Sequence, residues 1–308
     1  MSDTTESKRL TTAQDYASLI DKFDTFLFDC DGVIWSGPKL IPGVREVIAW
    51  LRTKGKNVLF VSNNASKSRP MYKKTFDDFG IDTTDDELFN SGFASALYLA
   101  KILDFPKDKK VYVIGMKGLE EELDAVGVAH CGGSDPAEME YMPAKDYTAV
   151  TPDPSVGAVL CGFDAFVNYK KYSKAHTYLT KNPGCHFILT NTDATFPSGG
   201  EFYPGSGAMS APLVYSTKMT PTVIGKPNSH MMDAILASKD FDRSRTIMVG
   251  DNLETDILFG QNSGIETLLT MTGVTNEDHL LGPKKSSTVP TYIVNSLGDF
   301  KVLVDEGK

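Results

Sequence analysis

Short, unbroken apolar runs alternate with amphipathic stretches along this chain, and that alternation restricts its fold more than any other feature. Residues 25–28, 57–62, 110–114, 157–160, 186–190, 222–224 and 246–249 read as strands. Between them, residues 44–53 carry Val44, Val47, Ile48 and Leu51 at helical spacing. Residues 68–79 read as a second helix that stops at Gly80, a C-terminal cap signal. Strands apolar at consecutive positions are covered on both faces, and strands separated by helices are joined by crossovers. Both properties belong to parallel sheets, so the fold class is α/β.

In such sheets ligands bind beyond the carboxyl ends of the strands. Four apolar runs end in polar groups there. Phe26-Leu27-Phe28 leads into Asp29-Cys30-Asp31-Gly32, and Leu59-Phe60-Val61 into Ser62-Asn63-Asn64. Val223-Ile224-Gly225 leads into Lys226-Pro227, and Ile247-Met248-Val249 into Gly250-Asp251-Asn252, with Asp256 beyond. Ser62 follows Asp31 by 31 residues and Asp251 follows Lys226 by 25, each room for one helix and one strand. Lys226 follows Ser62 by 164 residues, far more than a crossover needs. A small α/β unit is therefore expected as an insertion over residues 93–207, with residues 1–92 and 208–308 forming the main domain.

Each strand end suggests a chemistry. Asp29 and Asp31, two apart, start on one face of their strand. Two close carboxylates repel unless a proton or cation lies between them, and a hard divalent cation, Mg²⁺ above all, suits oxygen ligands. An Asp-Gly turn is the plain alternative. Ser62 and the exposed amides of Asn63 and Asn64 can cradle an anion at a helix start, or Ser62 can simply cap that helix. Lys226 can hold a phosphoryl oxygen as a point charge, or be a solvated loop lysine. Asp251 can supply a third metal oxygen, with Asp256 behind it orienting waters or Lys226. The order Asp-x-Asp-Gly, Ser, Lys, Gly-Asp-x₄-Asp, each member at a strand end, is far more specific than any one of them.

Composition narrows the partners. The net charge of −9, with no basic run, leaves no electrostatic footprint for a nucleic acid. Runs such as Val58-Leu59-Phe60-Val61 are far short of the roughly 18 apolar residues that span a bilayer, so no membrane is expected. Residues 1–22 are polar and include acidic residues, unlike a signal or transit peptide. Four scattered cysteines, Cys30, Cys131, Cys161 and Cys185, read as reduced thiols in a cytoplasmic protein. His176 and His186 fall in a helical and a strand pattern of the insertion and read as structural.

The four-part pattern resembles the haloacid dehalogenase-like superfamily. Residues 24–37 (DTFLFDCDGVIWSG), 61–69 (VSNNASKSR), 190–209 (TNTDATFPSGGEFYPGSGAM), 225–228 (GKPN) and 248–260 (MVGDNLETDILFG) look like its 4-nitrophenylphosphatase and phosphoglycolate phosphatase branch. The resemblance covers almost the whole chain after about residue 20. It implies a Rossmann-like parallel-sheet core with an inserted type-two cap, and Mg²⁺-dependent hydrolysis of small phosphorylated metabolites, 2-phosphoglycolate foremost. It implies Asp29 as the nucleophile that becomes an aspartyl-phosphate and Asp31 as general acid, then base. Asp29, the main-chain carbonyl of Asp31 and Asp251 would hold Mg²⁺, while Ser62, Asn63, Asn64 and Lys226 would hold the phosphate. It also implies a homodimer formed through the cap. Pyridoxal phosphatases of this branch carry a substrate-binding histidine where this chain has Phe196, which favours short acids over a vitamin B6 phosphate. Residues 191–207, rich in Gly, Pro and Asp, read as a substrate-facing loop. Competing readings are a pyridoxal phosphatase, a phosphoprotein phosphatase, a phosphomutase and a non-catalytic regulatory protein.

Overall fold

A computed structural model of the chain describes residues 7–283 and 285–307, without the side chains of residues 144–146. The first six residues of the polar N-terminal stretch lie outside the described residues. Two parallel sheets organise the molecule. The first has seven strands in the order Lys8–Arg9, Tyr292–Val294, Glu266–Thr270, Thr246–Gly250, Thr25–Phe28, Asn57–Ser62 and Leu88–Asn90. The second has five, in the order Thr222–Val223, His186–Leu189, Val156–Cys161, Lys110–Ile114 and His130–Gly132. Every pairing within both sheets is parallel, as the apolar runs require.

Thr25–Phe28 lies at the centre of the first sheet and is buried at all four positions. Its neighbours set the register of the site. Phe28 pairs with Phe60 on one side and Val249 on the other, so Asp29, Ser62 and Asp251 emerge at one edge. Side chains alternate between two cores. Phe26 and Phe28 join a cluster with Val44, Ile48 and Phe76 from the flanking helices. Leu27 points the other way into a second cluster. The expected helices form as Val44–Thr53 and Arg69–Asp78, the latter followed by Gly80 in the left-handed region at φ +69°.

That second cluster is shared by the two sheets. Leu27, Val61 and Met248 of the first sheet meet Val111, Val113 and Leu160 of the second through helices Ser91–Leu97 and His230–Leu236. One strand falls elsewhere than expected. Thr222–Val223 pairs with Ile188 and Leu189, so it edges the second sheet and not the first. The helix before it, Ser206–Thr217, packs on Tyr169–Lys181 of the same unit. The second sheet and its helices thus run past residue 207 to Val223, because their partners lie there; chain spacing carries no information about partners.

Candidate active site

Asp29 remains in the ladder, donating its N–H to Val249 at 2.8 Å. The chain then turns at Gly32, whose φ is +82°. A Cβ at Gly32 would stand 2.4 Å from Asp251 Oδ2, and one at Gly273 would stand 1.7 Å from the same atom. Glycine at both positions lets two loops close around one carboxylate, which accepts the Val274 N–H at 2.6 Å.

Lys226 is the centre of the site and is only 2% exposed. Its ammonium donates to Asp29 Oδ1 at 2.6 Å and to the Val61 carbonyl at 2.8 Å, and pairs with Asp256 Oδ1 at 2.8 Å. Two hydrogen bonds and an ion pair hold this buried ammonium, so it is no solvated loop lysine. It is delivered by the edge strand of the second sheet, so one side chain ties the two sheets together. Asp256 Oδ2 accepts the N–H groups of Asp251 and Asn252, each at 3.1 Å.

Asp29, Asp251 and Asp256 each bring a carboxylate oxygen within 4.8 Å of the others. Three buried acids thus face one ammonium. Burial pushes Asp29 well above the ordinary carboxylate range; Asp256 and Asp251 add to this while Lys226 opposes it. Burial, with Asp256 next, pushes Asp251 up to about 7. Burial alone would lower Lys226, but Asp256 and Asp29 outweigh it and hold the lysine above its usual range, protonated at neutral pH. A hard divalent cation relieves such repulsion, and an all-carboxylate donor set fits Mg²⁺. The carboxylate of Asp31 stands apart from this group and accepts the Trp35 indole N–H at 2.9 Å. It opens onto the cleft, yet the surrounding walls strip enough water to raise it.

Ser62 is buried, with its hydroxyl 3.1 Å from that of Tyr72, and it accepts the Asn64 N–H at 3.2 Å. Ser62 ends its strand and the helix beyond begins only at Arg69, so the amides of Asn63 and Asn64 belong to a loop and not to a helix start. Asn63 donates to both oxygens of Asp193 at 3.2 Å and to the Lys226 carbonyl at 2.9 Å. Asp193 follows the strand His186–Leu189, and the strand-end rule applied to the second sheet points to it.

These groups border a cleft of about 510 Å³ between the sheets. Asp29, Ser62, Lys226 and Asp251 line it together with Phe163 and Phe196. Residues 191–207, expected as a loop, contain an antiparallel hairpin of Thr195–Ser198 and Glu201–Pro204. Gly199 and Gly200, at φ +62° and +89°, make the two-residue turn. Phe196 is half-buried, edge-on to Phe163 at 5.2 Å and opposite Tyr203 at 6.0 Å. His176 bonds Ser216, and neither it nor His186 lines the cleft.

Known proteins match this arrangement closely. Residues 26–129 match the model of the haloacid dehalogenase-like hydrolases, and residues 223–300 match a second model of the same group. The 4-nitrophenylphosphatase of Schizosaccharomyces pombe is 50% identical over 292 residues, covering 94% of this chain and 97% of its own. Phosphoglycolate phosphatase 2 of Arabidopsis thaliana is 46% identical over 299 residues, covering 96% and 98%. The crystal structure of a 4-nitrophenylphosphatase from Thermotoga maritima superposes with a TM-score of 0.76 at 29% identity, covering 91% and 97%. The chain belongs to the haloacid dehalogenase-like hydrolase family. Within it the chain is a phosphatase, of the group that holds the 4-nitrophenylphosphatases and phosphoglycolate phosphatases.

Proposed function

We propose that this enzyme hydrolyses small phosphate monoesters, 2-phosphoglycolate foremost, through an aspartyl-phosphate on Asp29. One observation carries the reading: Asp29, Asp251 and Asp256 close around the buried ammonium of Lys226 at the mouth of a cleft. Lys226 holds Asp29 Oδ1, and among the described residues the other oxygen makes no hydrogen bond and is free to attack phosphorus. As the new O–P bond forms, the bond from phosphorus to the leaving oxygen breaks, and Asp31 gives that oxygen a proton. A water then attacks phosphorus, Asp31 takes its proton, and phosphate leaves Asp29 restored. Ser62, Asn63, Asn64 and Lys226 hold the phosphoryl oxygens during both steps. Asp29, the Asp31 main-chain carbonyl and Asp251 would hold Mg²⁺, which when bound neutralises charge on the transferring group. Asp256 positions Lys226.

The unit built on the second sheet serves as a cap over the cleft. We place its end near Val223 instead of residue 207, on the support of the strand pairing there. Phe196 gives the leaving group an apolar neighbour. Exposed cap aromatics, Tyr141, Phe166, Tyr169 and Tyr215, support a homodimer through the cap. Four free cysteines, three of them buried, support a cytoplasmic address, and no described helix is long and apolar enough to cross a membrane.

Phosphate release across a panel of metabolite esters, with Mg²⁺ or with chelator, tests the reading. We expect 2-phosphoglycolate and 4-nitrophenyl phosphate to be hydrolysed with Mg²⁺ alone, and pyridoxal 5′-phosphate to be hydrolysed far more slowly. A preference for the pyridoxal ester, or a rearranged sugar phosphate in place of free phosphate, overturns it.

A further inference from the structure

The cleft is short of positive charge. Asp29, Asp31, Asp193, Asp251 and Asp256 all line it, against the single ammonium of Lys226. That ammonium is already paired with Asp29 and Asp256 and, on the reading above, serves the phosphoryl group. An ester whose leaving group carries its own carboxylate therefore meets no free cation on the cleft walls.

A cation stands just outside. Lys67 follows Ser66, which lines the cleft. Its ammonium lies over the Tyr72 ring, 5.8 Å from the centroid, and the Tyr72 hydroxyl is 3.1 Å from Ser62 Oγ. Trp35, whose indole donates to Asp31, lies against the same Tyr72 ring at 6.5 Å. Lys67 is thus placed on the Asp31 side of the site, where the leaving oxygen receives its proton. Lys226 and Lys67 are the two cations that draw the Asp31 carboxyl down against its burial.

The side chain of Lys67 is exposed and, among the described residues, in no ion pair. Its main chain is fixed. The Lys67 carbonyl accepts the Asn90 side-chain amide at 2.9 Å, and a Cβ on Gly118 would come within 2.5 Å of the Lys67 carbonyl carbon. A rigid base thus carries a flexible, strongly hydrated point charge, resting on an aromatic face from which it can exchange to an anion.

We propose that Lys67 receives the carboxylate of an acidic leaving group and thereby sets the preference for acid-tailed over neutral phosphate esters. This rests on the phosphoglycolate reading above. Its role is specificity, because it touches the departing fragment and not the phosphoryl group.

The test compares 2-phosphoglycolate with 2-hydroxyethyl phosphate, in which a neutral hydroxymethyl group replaces the carboxylate at the same chain length. We expect Lys67→Met to lower the ratio of kcat/KM for the acidic over the neutral ester by roughly tenfold or more, mainly through KM, since the removed contact is made to one ester only. Lys67→Arg should restore most of the ratio. In wild type, added salt should raise KM for the acidic ester more than for the neutral one, and Lys67→Met should remove that difference. A wild-type enzyme with no preference for the acidic ester overturns the substrate reading and this inference together. A wild-type preference that survives Lys67→Met overturns this inference alone. Equal losses on both esters, unrescued by arginine, make Lys67 structural and also overturn it.

Discussion

Asp31 differs from Asp29 in what holds it, although the two share one strand end. Asp29 is locked to Lys226 within an acid cluster, whereas Asp31 touches Trp35 and faces the open cleft. An acid with that placement matters in proportion to how badly the leaving group needs a proton. Asp31→Asn should slow the first step on alkyl phosphates by about 100-fold or more, within the usual range for general acid catalysis, and spare 4-nitrophenyl phosphate, whose leaving group departs unprotonated. Equal losses in single-turnover assays contradict the assignment. The pH dependence follows from the same proton. Burial raises the Asp31 carboxyl, so its acid form persists above the ordinary carboxylate range. The wild-type first step on alkyl esters should fall as pH rises through that raised value, while the nitrophenyl ester should show no matching fall.

Single elements were legible in the sequence to the extent that their chemistry is local. The strand Thr25–Phe28 and the helix Val44–Thr53 carry their own apolar pattern, and the structure keeps both. Lys226 was legible as a residue but its strand was misplaced, since pairing of Thr222–Val223 with Ile188 and Leu189 is decided by partners 34 residues away. Phe163 went unread, and Asp193 was legible only as part of the substrate-facing segment 191–207, because their site exists only once the second sheet lies across from the first. The hairpin was hidden by its Gly and Pro content, although Gly199-Gly200 between aromatic runs is a turn signal. Its position in the cleft lining underlies the proposal that Phe196 selects leaving groups. Phe196→His should raise kcat/KM for pyridoxal 5′-phosphate and so narrow its gap to 2-phosphoglycolate; parallel losses on both esters mean that Phe196 only packs. Behind the hairpin, Phe163 is anchored by the next residue. Asp164 accepts the Lys171 ammonium at 2.7 Å, and the pair is 1% and 0% exposed. Lys171→Met should destabilise the fold by roughly 3–5 kcal/mol, because an uncompensated charge remains buried. A urea-unfolding loss below about 1 kcal/mol, the range of exposed pairs, contradicts that.

Across the whole molecule, one apolar cluster joins the two sheets and Lys226 pins them at the site. Calorimetry should therefore show one cooperative transition, and two well-separated ones contradict a shared core. That transition should respond to metal. Without a cation, the raised Asp251 carboxyl binds its proton more tightly folded than unfolded, so its contribution to stability falls as pH rises from about 4 to about 7. Mg²⁺ should raise Tm most at and above neutral pH, through preferential binding to the folded state. An unchanged Tm under chelation contradicts the assignment of the acid cluster.

The proposed mechanism turns on Asp29 carrying the phosphoryl group, which rapid quench of Asp31→Asn with 4-nitrophenyl phosphate can decide. That variant keeps the nucleophile and needs no acid for this ester, but it lacks the base that activates water. A burst of about one nitrophenolate per active site should precede slow turnover, because phosphorylation of Asp29 outpaces a hindered second step. The quenched protein should then carry a phosphoryl group on the peptide containing Asp29. Turnover with no burst and no label, or a label on any other residue, would rule out Asp29 as the nucleophile.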